Sequence, residues 1–119
     1  MPRLLFALAC SALVLVPASA LASPSATVLR ISADAKGALR YDKTLAESDA
    51  GRVTIVMKNP SLIPHNVAVR GSGVRKLGKV VLKGGTSTVT ATLKAGRYVF
   101  FCSVAGHERA GMKGVLIVG

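Results

Sequence analysis

The chain has 119 residues, half of them hydrophobic, and its 16 Lys plus Arg stand against 5 Asp plus Glu, a formal net charge of +11. That length fits one domain, large enough for a single core without disulfide staples. The charge suits acidic proteins or an anionic membrane surface as partners, while only five aromatic residues are present, too few to build stacking platforms for nucleic acid.

Residues 1–22 read as a secretory signal peptide. Arg3 gives a positive start, Leu4 to Val16 form an apolar run, and Pro17 breaks it. Ala18-Ser19-Ala20 and Ala20-Leu21-Ala22 each offer a small-x-small cleavage site, and the run is short for a transmembrane helix. Cleavage after Ala20 or Ala22 leaves a mature chain of 99 or 97 residues that holds a soluble exported domain at 23–119, with the periplasm as its expected destination. Cys10 leaves with the peptide, and Cys102 becomes the single remaining cysteine. Exported cysteines usually pair. A lone one needs burial, a second chain or a metal.

From Ser25 onward the pattern is all-β. Ser25 to Ala33 alternates, with Thr27, Leu29 and Ile31 on one side and Val28 and Arg30 on the other. Gly37 to Ser48 is less regular, and Leu39, Tyr41 and Leu45 are its candidates for facing inward. Arg52 to Asn59 alternates clearly, which puts Met57 in the core with Val53 and Ile55. His65 to Arg70 resumes the alternation after Pro64, so His65, Val67 and Val69 share a face. Gly71 to Gly78 reads as a mobile basic loop. Lys79 to Lys83 and Thr86 to Leu93 read as strands joined by a Gly84-Gly85 hairpin turn. Arg97 to Cys102 and Lys113 to Val118 form the last pair. Seven to eight short strands with frequent turns predict a β-sandwich or barrel. Tyr98, just after Lys94-Ala95-Gly96, matches the tyrosine corner of Greek-key sandwiches.

Between the last two strands, Cys102, His107 and Met112 follow one another at five-residue steps. A thiol, an imidazole and a thioether in one loop favour copper or zinc over hard cations. The second histidine of the chain, His65, opens a strand elsewhere. Two His, one Cys and a weak axial Met form the ligand set of blue-copper centres. The thiolate is soft and covalent toward copper, and imidazole suits both Cu(I) and Cu(II). A distant thioether disfavours tetragonal Cu(II), so the two oxidation states keep similar geometry.

On these residues the chain resembles the cupredoxins, in particular small plastocyanin-like proteins. The resemblance runs from about Leu45 through Ala50-Gly51-Arg52-Val53-Thr54, Asn59, Pro64-His65-Asn66-Val67, Gly96-Arg97-Tyr98-Val99-Phe100-Phe101-Cys102, Gly106-His107 and Gly111-Met112-Lys113-Gly114. It implies a Greek-key β-sandwich with one type 1 copper at one end, bound by His65, Cys102, His107 and Met112. It also implies that Asn66 and Ser103 tie the two ligand segments, with the Asn66 backbone N–H donating to the thiolate. The four residues between Cys102 and His107 make a longer loop than in plant plastocyanin, and this spacing resembles auracyanin and rusticyanin. Plastocyanin has Pro where this chain has Val104, whose N–H is a candidate second donor to the sulfur.

The function so implied is single-electron transfer between redox proteins through Cu(II)/Cu(I), by a monomer and not by an enzyme. His107, ringed by Pro64, Ala105, Gly106, Ala110 and Gly111, is the expected electron port. The basic chain predicts an acidic partner of cytochrome or oxidase type. Copper delivery or storage is the alternative, but no Met-rich or multi-His tail supports it. A copper enzyme needs further His ligands, and both histidines are already assigned.

Overall fold

Residues 1–2, 9–17 and 25–119 are described by the computed structural model. Both expected cleavage sites lie outside the described residues. Eight strands follow: β1 (Ala26–Ser32), β2 (Leu45–Ser48), β3 (Gly51–Lys58), β4 (Ala68–Gly71), β5 (Val74–Leu77), β6 (Thr86–Leu93), β7 (Gly96–Phe101) and β8 (Lys113–Val118). They form two sheets, one ordered β1-β3-β6 and the other β2-β8-β7-β4-β5. The pairs β1–β3 and β2–β8 are parallel and the other ladders antiparallel. The chain crosses between sheets on either side of β2, after β3 and again on either side of β6. The result is an all-β sandwich of Greek-key type.

Alternation explains the core. Ile31, Val53, Ile55, Met57, Val89, Ala91 and Leu93 of the smaller sheet share one core with Val69, Tyr98, Phe100, Leu116 and Val118 of the larger one and with Val67 just before β4. Burying each large side chain of this kind contributes about 1.5–3 kcal/mol. Met57 is fully buried among them, as its strand position requires. Phe100 lies over Gly114 on the neighbouring strand, in direct register with it. A β-carbon at Gly114 would occupy the space of the Phe100 ring. Small-against-large pairing thus brings β7 and β8 together beside the ligand loop.

Four segments differ from the sequence expectation. Gly71 to Gly78 is not a mobile loop: β4 and β5 form a hairpin in which Gly71 pairs with Val74. Its two turn residues, Ser72 (φ 46°) and Gly73 (φ 77°), both adopt positive φ, as a type I′ turn demands. Serine is an uncommon occupant of that position, so the turn carried little signal. Lys79 to Lys83 is not a strand and Gly84-Gly85 closes no hairpin: Val81 bridges His65, and the ladder of β6 is with β3. The ladder expected from His65 begins only at Ala68, and His65 makes a single bridge with Val81. Finally, Leu45 points to solvent at 60% exposure, while Ala46 packs on the core. A one-residue difference in phase exchanges the two faces of a strand.

The tyrosine corner is present. Tyr98, almost wholly buried, donates its hydroxyl to the Lys94 carbonyl at 2.8 Å. Tyr98→Phe keeps the ring and leaves that carbonyl short of a donor. It is expected to cost about 1–2 kcal/mol, read as a lower urea midpoint at unchanged m-value.

Candidate metal centre

His65 arrives at its position through a side-chain scaffold. Asn59, buried at the end of β3, donates from Nδ2 to the carbonyls of Ile63 (2.8 Å) and Val81 (2.9 Å), and its Oδ1 accepts the Ser61 amide (3.0 Å). Ser61 Oγ closes the same turn by accepting the Ile63 amide at 3.0 Å. The strap 79–85 is then tied at both ends. Gly84 N–H donates to the Asn59 carbonyl (2.7 Å), and Val81 and His65 exchange backbone hydrogen bonds at 2.8 and 3.1 Å. His65 emerges fully buried, with little freedom of approach.

Cys102 follows β7, and Met112 immediately precedes β8. The Cys102 N–H donates to the Met112 carbonyl at 3.1 Å, which closes the neck of the loop. Inside it, Met112 N–H donates to the His107 carbonyl and His107 N–H to the Val104 carbonyl, both at 3.0 Å. Three donor atoms converge as a result. His65 Nδ1 lies 3.2 Å from His107 Nδ1 and 3.9 Å from Cys102 Sγ, and Sγ lies 3.5 Å from His107 Nδ1. The point equidistant from all three is about 2.1 Å from each, within the ~2.0–2.1 Å of a metal–imidazole bond and near the ~2.3 Å of a metal–thiolate bond. Met112 is also fully buried and belongs to the same core cluster as Cys102.

The protonation chemistry agrees with metal binding. Burial, and then the neighbouring His107, push the His65 pKa below its ordinary value. Neutral imidazole is the ligating form. Its Nε2 is buried without a hydrogen-bond partner, while Nδ1 faces the other two donor atoms. A soft thiol with two imidazole nitrogens, gathered at bonding radius, fits copper.

The sequence pattern of copper binding proteins of the plastocyanin/azurin family matches residues 28–119. The chain belongs to that family. Among solved structures, this cupredoxin is similar to dithionite-reduced auracyanin from the photosynthetic bacterium Roseiflexus castenholzii. Identity is 28% and the TM-score 0.68, over 82% of this chain and 99% of that one. Auracyanin A, a "blue" copper protein of the green thermophilic photosynthetic bacterium Chloroflexus aurantiacus, shares the fold at 24% identity and a TM-score of 0.68, over 80% and 100%. Auracyanin B does so at 22% and 0.69, over 83% and 92%. Comparison with curated proteins returns no match. The cofactor of this cupredoxin is copper, and its family is one of blue-copper electron-transfer proteins that work with redox-protein partners.

The cupredoxin's supporting residues follow the sequence expectation in part. Asn66 and Ser103 do tie the ligand segments: Asn66 Oδ1 accepts the Ser103 amide (2.7 Å) and Nδ2 donates to Ser103 Oγ (2.8 Å). Cys102 Sγ meets the Nδ1 atoms of both imidazoles, at 3.9 Å for His65 and 3.5 Å for His107.

Other contacts had no sequence signal. Tyr41, buried, donates to the Asn66 carbonyl at 2.6 Å. Burial, then the charges of Cys102 and Glu108, push its hydroxyl pKa far up, so it remains a donor. Arg70 on β4 forms a two-pronged ion pair with Glu108, which follows His107, at 2.7 and 2.6 Å. Those hydrogen bonds hold Glu108 below its ordinary pKa of 4.5 and raise Arg70 above its own.

Asn66→Ala leaves the Ser103 amide and the Gly78 carbonyl without their partner. It is expected to cost roughly 2–4 kcal/mol in a denaturant titration. The Arg70–Glu108 pair contributes stability above the ordinary carboxyl pKa, and this contribution fades as pH falls through the depressed one. Below pH 4.5 the wild type is therefore expected to lose more stability than Arg70→Met does, by thermal melts across an acid series.

Proposed function

We propose that His65, Cys102, His107 and Met112 bind one copper ion, and that the chain is a soluble exported carrier of single electrons between redox proteins. The triangle of two Nδ1 atoms and one Sγ carries this reading. Copper, when bound, supplies a one-electron Cu(II)/Cu(I) couple. Cys102 offers the covalent thiolate, His65 and His107 the imidazoles, and Met112 a soft thioether from within the core. The hydrogen bonds around Asn59 and Asn66 hold the donors in one geometry, which lowers the rearrangement that electron transfer requires.

His107 is only partly buried and is the reading's electron port. Pro64, Ala105, Gly106, Ala110 and Gly111 around it are all exposed, as is Leu62 at 85%. Small apolar residues let a partner approach closely and shed water in a brief encounter. Arg109 and Lys113 are exposed on and beside the same loop. They support an acidic partner drawn in by charge. The signal peptide at 1–22 accounts for an exported domain that retains Cys102 alone. The reading includes a monomer that performs no bond chemistry.

Cu(II) added to the purified mature protein is expected to give an intense blue thiolate band with narrow copper hyperfine splitting in EPR. Cys102→Ser is expected to abolish the band. A pale tetragonal spectrum, or thiol oxidation without colour, would overturn the assignment. Electron exchange with an acidic cytochrome that slows as salt rises supports a carrier, whereas copper release without exchange would favour delivery.

A further inference from the structure

The Arg70–Glu108 pair lies outside the donor set, yet it touches the neighbours of two donors. Arg70 stands on β4, the strand entered from His65. Its guanidinium centre lies 4.5 Å from the centroid of Phe101, which precedes Cys102. Its two nitrogens grip both oxygens of Glu108, which follows His107. One planar group therefore joins three segments. Among the described residues, the side chains of 104–111 make no other hydrogen bond outside the loop, apart from the ring of His107. Asn66 fixes the Cys102 end of the loop, and backbone turns hold the remainder.

The geometry points to Arg70 and Glu108 as a positioning clamp that holds His107 Nδ1 3.2 Å from His65 Nδ1 and 3.5 Å from Cys102 Sγ, where one metal ion would reach all three. This rests on the copper reading above, because the clamp acts on a ligand of that site. The chemistry favours a fork over a point charge. A bidentate guanidinium–carboxylate pair fixes orientation as well as distance. The ring of Phe101, buried beneath Arg70 and with Arg75 at 5.4 Å, supplies a surface against which the guanidinium packs.

Charge alone would give a different signature from clamping, and three variants separate them. Arg70→Met removes a positive charge, Glu108→Gln removes a negative one, and Arg70→Lys keeps the charge but loses the fork. In metal-free protein, hydrogen exchange of the 104–112 amides is expected to accelerate about three- to tenfold in all three. The lower figure reflects the partial exposure of the pair. Amides of β3 and β6 are expected to stay protected. After copper loading, the EPR hyperfine splitting is expected to widen in every variant. The potential is expected to fall in Arg70→Met, rise in Glu108→Gln and stay near wild type in Arg70→Lys.

Unchanged loop exchange in all three variants would overturn the clamp. So would loop effects that follow the sign of the removed charge, or an equal loss of protection throughout the sandwich. A wild type that takes up copper without the blue signal would count against the copper reading alone, since the exchange measurement needs no metal.

Discussion

The junction at Asn66 holds the rest of the site together. Its side chain accepts the Ser103 amide, donates to the Ser103 hydroxyl and donates to the Gly78 carbonyl, while its own carbonyl receives the Tyr41 hydroxyl. A single buried amide thus joins the exits of β5 and β7 and the irregular crossing after β1. Buried polar groups stabilise only when their partners are complete. The need for completeness also specifies geometry. With Asn66 saturated, His65 and Cys102 have one relative position, and the ligand loop has only to deliver His107.

The support around the centre is graded. At the His65 end, Asn59, Ser61 and the strap from Val81 to Gly85 supply buried hydrogen bonds that leave little room for motion. At the Cys102 end, Phe100 over Gly114 and the pairing of β7 with β8 do the same through packing. Only the His107 end meets solvent, and there the support is ionic and partly exposed. Surface ion pairs are individually weak. This one is forked and lies on an aromatic ring, so its orientation is better defined than its strength.

How much of this the sequence disclosed depended on whether a signal was local. Alternation identified β1, β3, β6, β7 and β8, because each has one face buried and a period of two leaves a legible trace. The donor set stood out through scarcity and spacing: two histidines in the whole chain, and a thiol, an imidazole and a thioether, Cys102, His107 and Met112, at five-residue steps. The β4–β5 hairpin stayed hidden because Ser72 occupies a conformation usually marked by Gly, Asn or Asp. The strap from Lys79 to Lys83 contains enough valine and leucine to imitate a strand, but its Val81 bridges His65 instead of pairing along β6, whose ladder is with β3. Arg70 and Glu108 are separated by 38 positions and look like ordinary solvated charges until the fold joins them. The likeness to other cupredoxins was informative for Asn66 and Ser103, whose mutual hydrogen bonds join segments far apart in the chain.

The sheet order carries a final consequence. β8, β7 and β4 are neighbours in one sheet, and all three ligand-bearing segments adjoin them at the same end. The three-stranded sheet contributes no donor atom and serves as a backing plate, with exposed Thr88 and Thr92 and a Thr54–Thr90 hydroxyl contact on its outer side. A partner domain or a conducting support attached to that plate would meet neither the copper end nor its struts. The molecule is therefore asymmetric end to end: the larger sheet gathers the donor atoms at one end, and the smaller sheet supplies none of them.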